Sequence, residues 1–298
     1  MGTEVGSSFH DQPAPLDPRG GRSAAALWLP RAPAAAQLMS AVMCAGPEAF
    51  ARGWRPCPEG GAFRLGPGRG MIILRAEDER QARELLSTMS ALTLDALLVA
   101  LDLLNSGRRW VAIDAADVLA AKGYRRWGEE RSAFERKVAA NLAVLSRLCW
   151  RASGGAQPLL EMSPQNHDAV FVFSAGPALR RSVRRGEGCS LARTVVALDH
   201  RHNRGSDALA KKLAVALALR ETSAPLRSRD LLVSMGELGG GRGARQGRVV
   251  DRLLCAAGRL RDLNLYHVEI GPVLARRKGW VGKWLQSPVV VRPLPVAG

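Results

Sequence analysis

One order of elements is written into this sequence twice, and it restricts the chain to few architectures. In the first instance Leu94, Leu97, Leu98, Leu101 and Leu104 recur at the three-and-four spacing of a buried helical face. This predicts a helix from about Thr93 to Asn105, ended by Gly107. Trp110-Val111-Ala112-Ile113 is a short extended piece. Asp114 then stands as an N-cap with Asp117 in the capping-box position, and opens a short helix closed by Gly123. A longer helix is predicted from about Arg131 to Trp150, with Phe134, Val138, Leu142, Leu145 and Cys149 facing inward. Leu159–Met162 and Ala169–Ser174, on either side of Pro164–Asp168, read as a β-hairpin.

The second instance begins at Ser206 or Asp207, which caps a helix to about Arg220 with Leu209, Leu213, Ala216 and Leu217 inward. Ser228 caps a short helix closed by Gly236, and a glycine-rich link at 239–243 leads to a third helix from about Ala244 to Leu263. Tyr266–Ile270 and Val289–Arg292 read as two strands around the loop Gly271–Pro288. Helix, short strand, helix, helix, hairpin is the winged helix-turn-helix order. The expected fold is therefore α+β and helix-dominated, with two tandem winged helix-turn-helix domains at 68–177 and 194–298. A basic linker at 178–193 joins them. Residues 1–67, with nine prolines and many Gly and Ala, read as a poorly ordered arm. Before the first repeat, Met71–Leu74 reads as a strand and Asp78–Ser87 as a helix.

Charge points to a polyanion. The net charge is +16, and it is segregated. Residues 178–298 hold 23 Lys and Arg against 9 Asp and Glu, a net of +14. One lobe thus carries a strong positive field, as nucleic-acid binding requires; an anionic membrane surface is the competing reading. No stretch of about 18 residues is free of charge, and Met1–His10 lacks the pattern of a secretory signal, so a cytoplasmic protein is expected. The cysteines, Cys44, Cys57, Cys149, Cys189 and Cys255, are odd in number and contain no Cys-x-x-Cys pair, which argues for free thiols.

The candidate DNA-binding residues follow from the wheel of each third helix. In the second domain Val249, Leu253, Ala257 and Leu260 share one face, while Arg245, Arg248, Arg252 and Arg259 gather on another side, with Cys255 beside them. Arginine bridges a guanine edge with two hydrogen bonds or holds a phosphate. In the first domain Arg136, Ala140, Ala143 and Arg147 face outward with Lys137 alongside, which suits phosphate contact or a homodimer interface equally. The second wing adds Arg276, Arg277, Lys278 and Lys283, with Trp280 and Trp284 read as packing residues. The linker adds Arg184 and Arg185 beside Arg180 and Arg181.

Enzymatic readings are weaker. His200-Arg201-His202 invites comparison with the two-histidine metal motif of rolling-circle nucleases, but Arg stands where an apolar residue belongs. The tyrosines are Tyr124 and Tyr266, neither placed as that chemistry needs. The glycine run lacks the order of a nucleotide-binding loop. No metal ligand set, cofactor motif or catalytic constellation rises above background, so the expectation is a binding protein without enzyme activity.

Over about residues 90–295 the sequence resembles plasmid replication initiators of the tandem winged-helix RepA type. The resemblance rests on Leu92-Thr93-Leu94-Asp95-Ala96-Leu97-Leu98, on the Leu198–Leu219 segment in which Asp-His-Arg-His-Asn runs into a Leu- and Ala-rich helix, and on Trp280-Val281-Gly282-Lys283-Trp284 followed by Val289-Val290-Val291-Arg292-Pro293. It implies double-stranded DNA at origin repeats as the ligand, with the second domain reading the major groove. It further implies a first domain that contacts backbone or forms a homodimer, and a host initiator and replicative helicase as partners. The Pro-rich N-terminal arm is not part of the usual pattern. A winged-helix transcriptional regulator is the alternative, followed by a metal-dependent nicking enzyme.

Overall fold

The computed structural model describes residues 26–57, 62–65, 70–123, 131–152, 155–163, 170–198, 205–220, 225–238, 244–271 and 279–293. It is a mixed α and β protein whose buried residues form one large core, with a small satellite of Met71, Ile73 and Cys149.

The chain opens with β1 (Ala26–Pro30), α1 (Pro33–Met43), β2 (Arg55–Pro56), β3 (Ala62–Leu65), β4 (Met71–Arg75) and α2 (Glu79–Thr88). The expectation of a poorly ordered arm over residues 1–67 fails from Ala26 onward. Leu27, Leu29, Leu38, Met39 and Trp54 are buried in the main core. Helix α1 starts with Pro33 at a position where the missing N–H costs nothing, and it has no charged residue to keep in water. Proline density misled here because the prolines punctuate short elements instead of preventing them.

Next come α3 (Ala91–Leu104), β5 (Val111–Asp114), α4 (Ala115–Ala121) and α5 (Arg131–Ser146). Asp114 caps α4 in a reciprocal box with Asp117, as the spacing predicts, and Ser90 caps α3 in a like box with Thr93. Helix α3 is buried almost all round, from Thr93 to Leu101, which makes it the central helix of the fold. Helix α5 stops at Ser146, before the expected Trp150, because Leu148–Ala152 forms β6 and pairs with β4. After β6 come β7 (Gly155–Pro158), β8 (Leu160–Met162) and β9 (Val170–Ala175). Two antiparallel sheets result, of order β2-β3-β4-β6-β7 and β5-β9-β8.

The segment expected as a basic linker, 178–193, is structured. It holds most of α6 (Pro177–Arg185) and all of β10 (Gly188–Ala192), which pairs antiparallel with β1. Gly188 sits opposite Pro30 in that ladder, and a Cβ there would lie 2.0 Å from Nε1 of Trp28, so only glycine fits under the indole. The rest of the chain is α7 (Thr194–Ala197), α8 (Gly205–Ala218), β11 (Leu226–Arg227), α9 (Ser228–Ser234), α10 (Ala244–Asp262), β12 (Tyr266–Ile270), α11 (Trp280–Trp284) and β13 (Pro288–Pro293). Beside the β1-β10 pair, a further sheet has order β11-β13-β12.

The two repeats therefore share a topology as well as an element order. In both, the first strand pairs with the third and the third with the second. They are joined by a buried ionic cluster. Asp95 of α3, fully buried, takes Nζ of Lys211 from α8 at 2.6 Å and Nζ of Lys122 from the end of α4. Lys211 also donates to the Val196 carbonyl at 2.8 Å. Among the described residues, no helix is long and apolar enough to cross a membrane.

Candidate nucleic-acid interface

Helix α10 presents two opposed faces. Val250, Leu253, Ala256, Ala257 and Leu260 are buried, and α10 packs on α8 and β12. The apolar face is turned slightly from the expected one, since Val250 is buried and Val249 only half-buried. Arg248, Arg252 and Cys255 are exposed on the other side. Arg248 makes no ion pair with the described residues, so its five donors remain available to a ligand.

The expected arc of four arginines is smaller than the sequence implies. Arg259 Nε donates to Asp207 Oδ1 at 3.0 Å and ties α10 to the first turn of α8. Its charge has a carboxylate partner inside the fold, while 42% of its side chain stays exposed. Arg252 lies 3.3 Å from Glu237 Oε2 but keeps 47% of its side chain exposed, so it is restrained without being hidden. The side chain of Arg245 lies outside the described residues, as do Arg276, Arg277 and Lys278. Lys283 is exposed on α11. Trp284 is buried and donates from Nε1 to the Gly271 carbonyl at 2.9 Å, which anchors the loop before β13 and fits its reading as a packing residue.

Glu237 links α8 to the middle of α10. It binds Lys212 at 2.8 Å, and Lys212 also donates to the carbonyls of Met235 at 3.2 Å and Met43 at 3.4 Å. The second repeat is thereby pinned to the end of α1. Gly236 sits in the same junction at φ +71°, where a Cβ would come within 2.9 Å of the Cys44 Cα. Burial pushes the Glu237 carboxyl upward, but Lys212, and then Arg252 and Arg52, outweigh burial and hold it below the usual range. A carboxylate whose folded pKa is lowered stabilises the fold above its unfolded pKa of about 4.3, and that contribution disappears as pH falls through the lower folded value. Urea midpoints of the native chain should therefore drop between pH 5 and pH 3 by more than those of Glu237→Gln. Parallel midpoints in that range would show that this carboxylate is not held as described.

On α5, Arg136 and Lys137 are exposed, with Ala140 and Ala143 exposed further along. Arg147 is exposed but lies past the end of the helix, where Nη1 reaches Gln81 Oε1 at 3.4 Å, so it does not extend that face. The inner side of α5 carries Asn141, buried against Thr93 of α3.

Arg184 and Arg185 are exposed on α6, not on a linker, and Arg185 pairs with Glu187 at 3.3 Å. The fold brings Arg108 and Arg109, from the loop before β5, to the same place. With Arg180 and Arg184 they line a cleft of about 410 Å³. Arg108 and Arg109 do not stand out in the sequence, because a Gly-Arg-Arg-Trp run after a helix reads as a simple exit turn.

His200 and His202 lie outside the described residues. Among the described residues no group of three or more His, Cys, Asp or Glu is placed to hold a metal ion. No protein-family model matches the chain, and no curated protein does. Among solved structures, the crystal structure of selenomethionine derivatives of domains 2 and 3 of RctB is similar to it at 12% identity and a TM-score of 0.43, covering 85% of this chain and 99% of that one.

Proposed function

We propose that the chain is a sequence-specific double-stranded DNA-binding protein of two tandem winged-helix units, acting as a replication initiator at repeated origin sites. One observation supports this most. The same topology occurs twice, and in both copies the third helix turns exposed cations outward, Arg136 and Lys137 on α5 and Arg248 and Arg252 on α10. In such units the third helix enters the major groove. Arg248 is the best placed to meet a base edge, because it is exposed and unpaired among the described residues. The cations of α5, beside small exposed alanines, suit close approach to phosphates. The segregated +14 supplies the non-specific attraction.

The choice of initiator over regulator rests on the resemblance to RepA-type proteins over residues 90–295. Contacts with a host initiator and helicase, and a homodimer through the first unit, belong to the same reading. The test is selection of bound duplexes from a random pool by the full chain, followed by footprinting on the enriched sequence. The expected result is an enriched site occurring as direct repeats beside the gene, protected over two neighbouring major grooves. If about six phosphates are neutralised, log K should fall against log salt with a slope near −5. A chain that shows no duplex affinity at low salt would end this reading. Enrichment of a site confined to promoters would favour the regulator.

A further inference from the structure

We infer a second nucleic-acid site on this protein: the arginine-lined cleft between α6 and the loop before β5 binds a stretch of phosphodiester backbone separate from the one presented to α5. The inference rests on the DNA-binding reading above and adds to it a surface that neither repeated unit would need.

The cleft is assembled from distant parts of the chain. Arg108 and Arg109 come from the turn after α3, and Arg180 and Arg184 from α6. Helix α6 is held rigidly. The Gly176 N–H donates to the Leu159 carbonyl at 2.9 Å, and Leu179 and Ser182 are buried beneath the helix. Arg180 has its charge answered within the fold, by Glu161 at 2.7 Å, and also donates to the Ala175 carbonyl at 3.2 Å. Arg108, Arg109, Arg181 and Arg184 make no ion pair with the described residues, and Arg108, Arg109 and Arg184 converge on one cleft.

Three like charges converging on one cleft repel each other. An anion supplies what the fold leaves out. A second hollow of about 390 Å³, lined by Pro177, Arg181 and Arg185 and sharing Arg180 and Arg184, adjoins the first. The cationic surface is thus a track and not a single socket, and a chain of phosphates fits it better than one phosphate group. Position separates this track from the α5 face. The cleft lies where β5 begins and β9 ends, with Val111 opposite Phe173. The α4–α5 pair follows from the other end of β5, at Asp114 opposite Val170.

The experiment measures affinity and salt slope of the full chain on a duplex of about four helical turns. It compares the native protein with Arg108→Ala/Arg184→Ala, and with Arg80→Ala/Arg83→Ala, an equal loss of charge on α2. The cleft double variant should bind all duplex sequences more weakly and flatten the log K against log salt slope by about two, with unchanged preference for the selected site. The α2 double variant should flatten it by less than one. Equal flattening in both doubles would reduce the cleft to a contributor to overall charge and overturn the inference. So would unchanged duplex binding by the cleft variant, alone or with lost binding to vesicles rich in phosphatidylserine. If the native chain binds no duplex, the function proposed above falls together with this site. If it binds and the cleft variant binds equally, only this site falls.

Discussion

Asp95→Asn is expected to destabilise the protein by about 3–5 kcal/mol, the cost of removing one partner from a buried ion pair. Asn preserves the volume and an acceptor, so packing changes little. What changes is that Lys122 and Lys211, 7% and 1% exposed, lose the carboxylate they share. Lys211→Met should cost less, because it leaves Asp95 paired with Lys122 and removes a buried charge together with its bonds. Replacing all three by Leu and Met should bring stability back toward the native value, since well-packed apolar groups commonly match a buried ionic cluster. Urea denaturation of the four proteins is the measurement. An Asp95→Asn midpoint equal to the native one would show that the cluster does not bear on stability. The cluster bears on function as well, because Asp95 belongs to the first repeat and Lys211 to the second. A loosened cluster should therefore weaken binding to paired sites more than binding to single ones.

Leu253→Ala and Arg248→Ala should separate folding from recognition within one helix. Leu253 is fully buried, and its truncation should cost roughly 2–5 kcal/mol through the cavity it leaves. Duplex binding should be lost only to the extent that the chain unfolds. Arg248 is exposed, so its removal should change stability by no more than about 0.5 kcal/mol. It should nevertheless cost roughly 1–3 kcal/mol of affinity for the selected site and relax preference at one base position. The readout is affinity for selected and scrambled duplexes beside thermal melts. If Arg248→Ala binds the selected duplex as the native chain does, α10 is not the reader.

Features with local causes are legible in the residues alone. The reciprocal caps at Asp114 and Asp117, the leucine spacing of α3, the positions of α8 and α10 and the hairpin of β8 and β9 all depend on residues a few places apart. Backbone capping and helical periodicity act over that distance, so they are legible without a partner. Features that depend on residues far apart in the chain follow from packing. Strand β1 is ordered because β10, some 160 residues later, completes its ladder, and Trp28 N–H reaches Asp102 at 2.7 Å. Helix α5 gives way to β6 at Leu148 because β4 offers hydrogen bonds there. The candidate site was half legible for the same reason. A helical wheel shows which arginines point outward from α10, but it cannot show that Asp207 and Glu237 wait on neighbouring elements to take two of them. Nor can it show that Arg108 and Arg184 share a cleft. Charge interactions depend on distance in space, and only the packed chain sets that distance.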